Sequence, residues 1–228
     1  MEFYALVEEW PDESLVFFRE LPGCFSIAST TEEAIQKAPE AITEYLRWLK
    51  QNVIYFLEEE ITSINVVVKE RLGECRVGPC FEVERTAPTD REIANALTVA
   101  ATARAQLAEL YNNVLPAQRS SAIKSGEWSL TEHLQHILKA EAYYIACLND
   151  QPPEAIAPVA ETEQSTKLLE NARIYETFLR GLTAEQRAHV YVHGEAEWTA
   201  AKVLRRMTEH LLDHYSGMRA IAGQISQR

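Results

Sequence analysis

Apolar residues recur along the chain at two different periods, and the change of period divides it. Near the start, Phe3–Glu8 (FYALVE) and Ser14–Glu20 (SLVFFRE) are short, β-rich apolar runs separated by a turn containing Pro11 and Asp12. That pattern predicts a β-hairpin. Leu21-Pro22-Gly23-Cys24 punctuates the chain, and Phe25–Ala28 predicts a third short strand. Ala34, Ile35, Ala38, Ile42, Leu46 and Leu49 then fall on one side of a helix reaching about Lys50. Thr30 and Glu33 form a capping box at its start, and Pro39 inside it is expected to kink it. Ile64–Lys69 (INVVVK) predicts a further strand, and Phe81–Glu84 another.

After Thr86–Pro88, which reads as a linker, the period is helical throughout. A capping box of Thr89 and Glu92 opens a helix over about Asp90–Val114, closed before Pro116. Ser129 and Glu132 open a second, running to about Leu148. Pro152, Pro153 and Pro158 separate it from a third over Glu161–Arg180, and His189–Glu197 connects that one to a last helix over Trp198–Ile221. Four long helices with moderate loops predict an up-down four-helix bundle. The fold class expected is therefore α+β in two domains, a small α/β domain at 1–86 and an all-α bundle at 87–228.

Composition narrows the setting. A length of 228 residues leaves room for two modest cores, and 46% hydrophobic with 25% charged residues is ordinary for a soluble globular protein. No run of 18 apolar residues predicts a membrane span, and MEFYALVEEW lacks the basic-then-apolar order of a signal peptide. Four scattered cysteines (Cys24, Cys75, Cys80, Cys147) are too sparse for a disulfide framework, which favours a reducing, cytoplasmic location. Cys24 reads as a small buried residue, and Cys75 with Cys80 as half of a metal knuckle that has no second half.

The net charge of −12 is uneven. Residues 1–86 hold 8 Lys and Arg against 17 Asp and Glu, and the remainder 14 against 17. Neither part carries the basic footprint that phosphate contacts need, so nucleic acid is not an expected partner. The acidic first part is suited to a basic protein partner or to a second copy of the chain.

The candidate chemistry lies in histidines. His210 and His214 are four residues apart on the last helix, so both imidazoles project from one face on successive turns. A helix uses that spacing to offer two nitrogens to one metal ion. The plain alternative is two histidines tucked separately into a helix–helix interface. The starts of the second and fourth helices are alike: Glu127-Trp128-Ser129 matches Glu197-Trp198-Thr199. Six residues on stand Leu134 and Leu204, and eight on stand His136 and Arg206, while Ala140 and Tyr144 correspond to His210 and His214. Both tryptophans read as core plugs at helix starts. The repeat carries His136 toward the level of His210 and His214.

A helical wheel disagrees. With Leu130, Leu134, Ile137 and Glu141 turned inward, His133 lies nearer the apolar centre than His136. The two diverge by about 60° around the helix, so they are alternatives for one ion. His133 is left as the rival ligand, an edge-packing residue or a supporting partner. Glu141 is either a buried, hydrogen-bonded carboxylate or an acid–base group. His193, beside Gly194, is expected in an exposed loop, and His189 at a helix end or loop.

Two resemblances sharpen this. The run ELPGCFSIASTTEEAIQKAPEAI, within roughly residues 3–70, resembles the HicB-like domain of toxin–antitoxin antitoxins, which implies a β-β-β-α-β order. That family's antitoxins usually append a DNA-binding segment; a helical region stands here instead, so antitoxin activity is not implied. Residues of about 89–225 resemble the DinB-like (damage-inducible) four-helix-bundle superfamily. In it, a tryptophan followed by Ser or Thr opens the second helix and a histidine eight residues later binds metal. A His-x-x-x-His pair on the fourth helix completes the set. The resemblance implies a divalent metal, zinc or nickel ahead of manganese, on His136, His210 and His214. Many members end with histidine–arginine–glycine–glutamine, where this chain has Tyr215-Ser216-Gly217. Three neutral imidazoles leave a coordination position open, the pattern of a catalytic site that activates water or a thiol. The function implied is a metal-dependent thiol transferase or hydrolase acting on a small electrophile. The alternative is a non-catalytic interaction or antitoxin-like regulatory module with a vestigial metal site.

Overall fold

A computed structural model describes residues 1–55, 61, 63–73, 78–122, 126–151 and 157–227. Cys75, Pro152 and Pro153 lie outside the described residues.

The predicted hairpin forms from β1 (Glu2–Glu9) and β2 (Ser14–Phe18), paired antiparallel. β3 (Phe25–Ala28) adds to β2 antiparallel, and β4 (Asn65–Leu72) adds to β1 in parallel, so the sheet order is β3-β2-β1-β4. Between β3 and β4 runs α1 (Thr31–Gln51), whose first turn is capped by the Thr30 side chain accepting from the Glu33 amide. Pro39 lies within α1 without ending it. Alternate residues of a strand face opposite ways. Phe3, Ala5 and Val7 of β1 and Val16 and Phe18 of β2 accordingly pack with Ala34, Ala38 and Ile42 of α1. Leu6, Leu15 and Phe17 form a second cluster with Phe81. Both sets are buried, so the sheet is covered on two faces.

Phe81–Glu84 is not the strand that its apolar character predicts. A single 3-10 turn, Glu82–Arg85, stands there. The Glu82 and Val83 amides donate to the Glu70 carboxylate at 2.5 and 3.0 Å instead of to a neighbouring strand.

The helical region contains α2 (Asp90–Asn113), the short α3 (Pro116–Arg119), α4 (Leu130–Ala146), α5 (Gln164–Gly181), the short α6 (Ala184–Ala188) and α7 (Ala200–Ile225). The capping boxes at Thr89/Glu92 and Ser129/Glu132 both form as the sequence requires. The core joins Leu97, Leu107, Leu134, Ile137, Leu168, Leu179, Met207, Leu211 and Met218. Its pairing corrects the up-down expectation. α2 packs against α5 and α7, and α4 packs against the same two helices. Helices consecutive in sequence, α2 with α4 and α5 with α7, therefore lie across the diagonals of the bundle. The long connections at 114–129 and 182–199 permit this, since only short loops force sequential helices to be neighbours. Across the first diagonal, buried Arg104 on α2 grips buried Glu141 on α4 with contacts of 2.5, 2.9 and 3.3 Å. That settles Glu141 as a hydrogen-bonded structural carboxylate.

The 182–199 connection is more ordered than the plain loop expected. After α6 it forms a small hairpin of β5 (Tyr191–His193) and β6 (Ala196–Trp198), with Gly194 at its turn at a φ of 66°. His193 is not an exposed loop residue: it is half-buried in β5, with Nε2 3.1 Å from the Cys147 carbonyl.

α7 has two buried faces, which explains buried charge on an amphipathic helix. One joins the bundle. The other meets the sheet, where Glu8 pairs with Arg205 at 2.9 Å and Arg206 at 2.7 Å, and Glu84 pairs with Arg205 at 2.6 Å. Arg205 also lies over the Phe17 and Phe81 rings. Gly23 sits in the same contact at a φ of +90°, and a Cβ there would come within 2.8 Å of Leu212 Cδ1. Gly23→Ala is expected to lose about 1–2 kcal/mol to left-handed backbone alone, with the clash added. A urea midpoint equal to wild type would contradict this account of the contact. No described helix is long and apolar enough to cross a membrane.

Candidate metal centre

α4 crosses α7 so that His136 meets His210 and His214. Ring centroids are 4.9 Å apart for His136–His210, 5.1 Å for His136–His214 and 4.3 Å for His210–His214. One nitrogen from each of the three lies within 4.8 Å of the others, so the cluster could hold a metal ion. His210 Nε2 and His214 Nε2 are 3.0 Å apart. Two ligands at about 2.1 Å from one ion stand roughly 3.0–3.4 Å apart at right or tetrahedral angles, so this pair already has ligand spacing. His136 is the exposed member of the three.

The electrostatics favour the uncharged rings that metal binding requires. Burial, with His133 and His136 nearby, lowers the His214 pKa to about 3. Burial and the neighbouring His214 hold His210 well below the usual histidine range, and burial lowers His136. His210 Nδ1 is buried without a hydrogen-bond partner. Three neutral donors converging on one spot fit a divalent cation.

A pH dependence follows. His214 stays neutral in the folded chain down to about pH 3, whereas an unfolded histidine takes up a proton below about pH 6.5. The unfolded state thus binds more protons, and stability of chelator-treated protein should fall as pH drops through that window. This one residue accounts for about 1.4 kcal/mol per pH unit. Urea midpoints from pH 7 to 5 check this, with a shallower slope expected for His214→Leu. Equal slopes would remove His214 as the cause.

The wheel's choice, His133, is also here, in a different position. Its Nδ1 is 2.7 Å from His214 Nδ1, on the other side of that ring from His210. Trp128 departs from expectation. Trp198 is a core plug at 2% exposure, but Trp128 is 42% exposed and its ring stacks on His214 at 5.8 Å and 7°. The site sits at the edge of the α4–α7 contact, so the residue before α4 reaches the histidine cluster and leaves the core.

A cavity of about 360 Å³ adjoins the three histidines. One wall comes from α4 and β6, with Tyr143, Tyr144 and Trp198. The opposite wall comes from the sheet, with Trp10, Leu15, Phe25 and Ile27. Tyr144 stands edge-on to His210 at 5.9 Å. Its place in the Trp128/Trp198 repeat, matching His214, was a signal that it belongs here. Nothing local in the first 30 residues announced the second wall.

The charged groups at the cavity are mostly engaged. Lys202 Nζ donates to the Gly78, Pro79 and Glu197 carbonyls at 2.6, 3.3 and 2.8 Å, and Arg206 pairs with Glu8. Burial lifts the Glu209 carboxyl to about 7 against the pull of Arg206 and Arg205. Asp213 and Glu13 also line the cavity, and burial with the nearby Glu13 raises the Asp213 carboxyl.

No family model matches the chain, and no curated protein does. Among solved structures it is similar to YfiT from Bacillus subtilis, described as a probable metal-dependent hydrolase with an unusual four-helix bundle topology. The TM-score is 0.50 at 16% sequence identity, over 61% of this chain and 91% of that one. The likeness shows the bundle fold.

Proposed function

We propose that the chain is a divalent-metal-binding protein of the DinB-like kind, with His136, His210 and His214 as ligands, and that it acts as a metal-dependent hydrolase or thiol transferase on a small electrophile. The observation that carries this is the convergence of three neutral imidazoles, two of them with Nε2 atoms 3.0 Å apart, beside a walled cavity. The likeness to YfiT, a probable metal-dependent hydrolase, supports the reading. When bound, the ion supplies Lewis acidity that makes water or a thiol a nucleophile near neutral pH. Imidazole donors suit zinc or nickel ahead of manganese. The chain's own side chains do the rest. Trp10, Phe25, Tyr143 and Tyr144 wall the cavity against bulk water, and the Asp213 and Glu13 carboxylates that line it would take up a released proton.

In this reading residues 1–86 and 87–228 form one catalytic unit in the cytoplasm. The element order β-β-β-α-β supports a HicB-like first part, turned here into a pocket wall. Trp10→Ala should therefore raise KM for a small electrophile such as an activated aryl ester or a halonitroarene with a thiol. Bound metal should stay unchanged. A Trp10→Ala protein with wild-type KM on every accepted substrate would detach the sheet from the site.

The other reading is a non-catalytic module that recruits a basic protein, or a second copy, through acidic residues 1–86. The surplus of 17 acidic over 8 basic residues there favours it. Metal analysis of protein purified without a histidine tag decides between the two. Near-stoichiometric metal is expected, and trace metal indifferent to His210→Ala would leave only the module.

A further inference from the structure

Resting on the three-histidine reading, we propose that His133 is a positioning residue that fixes the tautomer and ring orientation of His214. The His214 ring is held from both ends. Nε2 faces His210 Nε2 at 3.0 Å, and Nδ1 faces His133 Nδ1 at 2.7 Å. The second distance is a hydrogen bond, so one of its two nitrogens carries the proton and the other accepts it. If His214 gives its Nε2 lone pair to an ion, its proton sits on Nδ1. His214 Nδ1–H then donates to His133 Nδ1, and neutral His133 keeps its own proton on Nε2. A metal-bound histidine whose second nitrogen has a partner is both oriented and made a better donor. The usual partner is a carboxylate or a carbonyl; this chain uses a second imidazole.

Two neighbours make that bond possible. Gly217 stands one turn beyond His214, and a Cβ there would lie 3.2 Å from His133 Cε1. Glycine lets the His133 ring slide against α7 and reach Nδ1. Trp128 stacks on His214 at 7° and meets His133 edge-on at 5.4 Å and 72°, which clamps the pair. His210 has no counterpart, since its Nδ1 is buried without a partner. His214 is thus the ligand with built-in orientation, and the Tyr215-Ser216-Gly217 segment serves it through the glycine.

The test uses the full chain loaded with zinc and chelator-competition titrations of variants. His133→Leu should weaken zinc binding about 10–100-fold, the range for loss of an orienting partner. His133→Asn places an amide oxygen near the position of Nδ1 and should return affinity close to wild type. Nitrogen NMR of the imidazoles gives a readout that packing alone would not move. In zinc-free protein His214 should be locked as the Nδ1–H tautomer in wild type and in His133→Asn, and should show mixed tautomers in His133→Leu. Wild-type affinity together with a locked tautomer in zinc-free His133→Leu would overturn the inference. So would loss of zinc from His133→Asn as complete as from His136→Ala, because His133 would then be a ligand. Unchanged zinc affinity in His136→Ala alone would strike the three-histidine reading instead.

Discussion

His210→Ala should abolish the proposed metal binding: this is the largest effect expected of any single substitution. His210 is one corner of the cluster, with its ring 4.9 Å from His136 and 4.3 Å from His214. Removing it leaves His136 and His214, one from each of two helices, with no chelating i, i+4 pair. The affinity loss should exceed the about 10–100-fold expected for an orienting partner. His210 is also half-buried with an unpartnered nitrogen, so alanine should not unfold the protein. Metal content by atomic emission, set beside a thermal melt, separates the two effects. A variant that melts like wild type and retains one metal per chain would sink the proposed ligand set.

The second large effect concerns stability alone. Glu141→Leu should destabilise the fold by about 3–5 kcal/mol, the cost of leaving one partner of a buried ion pair uncompensated. Arg104 would lose its 2.5 and 2.9 Å contacts at 1% exposure, keeping the Met207 sulfur at 3.0 Å. Converting both residues, Arg104→Met with Glu141→Leu, should recover much of that loss, since an apolar pair leaves no stranded charge. Urea denaturation of the two singles and the double gives the coupling. A double variant as unstable as the sum of the singles would mean that packing volume, not charge, sets the cost. Metal binding should survive in the double variant, because neither residue lines the metal cavity.

Much of this fold is written locally. Capping boxes at Thr89/Glu92 and Ser129/Glu132 mark helix starts because the side chain and the amides it satisfies are three residues apart. The histidine pair at 210 and 214 is legible for the same reason. What escapes is whatever depends on a distant partner. Phe81 looks like strand, yet it turns because Glu70 offers its amide neighbours a carboxylate. Trp128 and Trp198 share one motif and meet opposite fates, one in the core and one over His214. The wheel places His133 inward and His136 outward correctly for a bundle interior. The histidine cluster instead lies at the rim of the α4–α7 contact, where outward His136 meets both His210 and His214 and inward His133 meets His214 at its other nitrogen. The diagonal pairing is equally silent in sequence, since periodicity gives each helix its face but not its neighbour.

The closing of the sheet by α7 fixes an order of events during synthesis. Leu6, Leu15 and Phe17 leave the ribosome long before the helix that covers them, which spans Ala200–Ile225. Glu8 waits for Arg205 and Arg206 across 197 and 198 residues. α1 can shelter one face of the nascent sheet at once, but the other face stays bare until α7 has been made. Contacts so remote slow folding and lengthen the exposure of apolar surface. A chain truncated before α7 would therefore lack its two paired histidines and also present a sticky sheet to the cell's quality control.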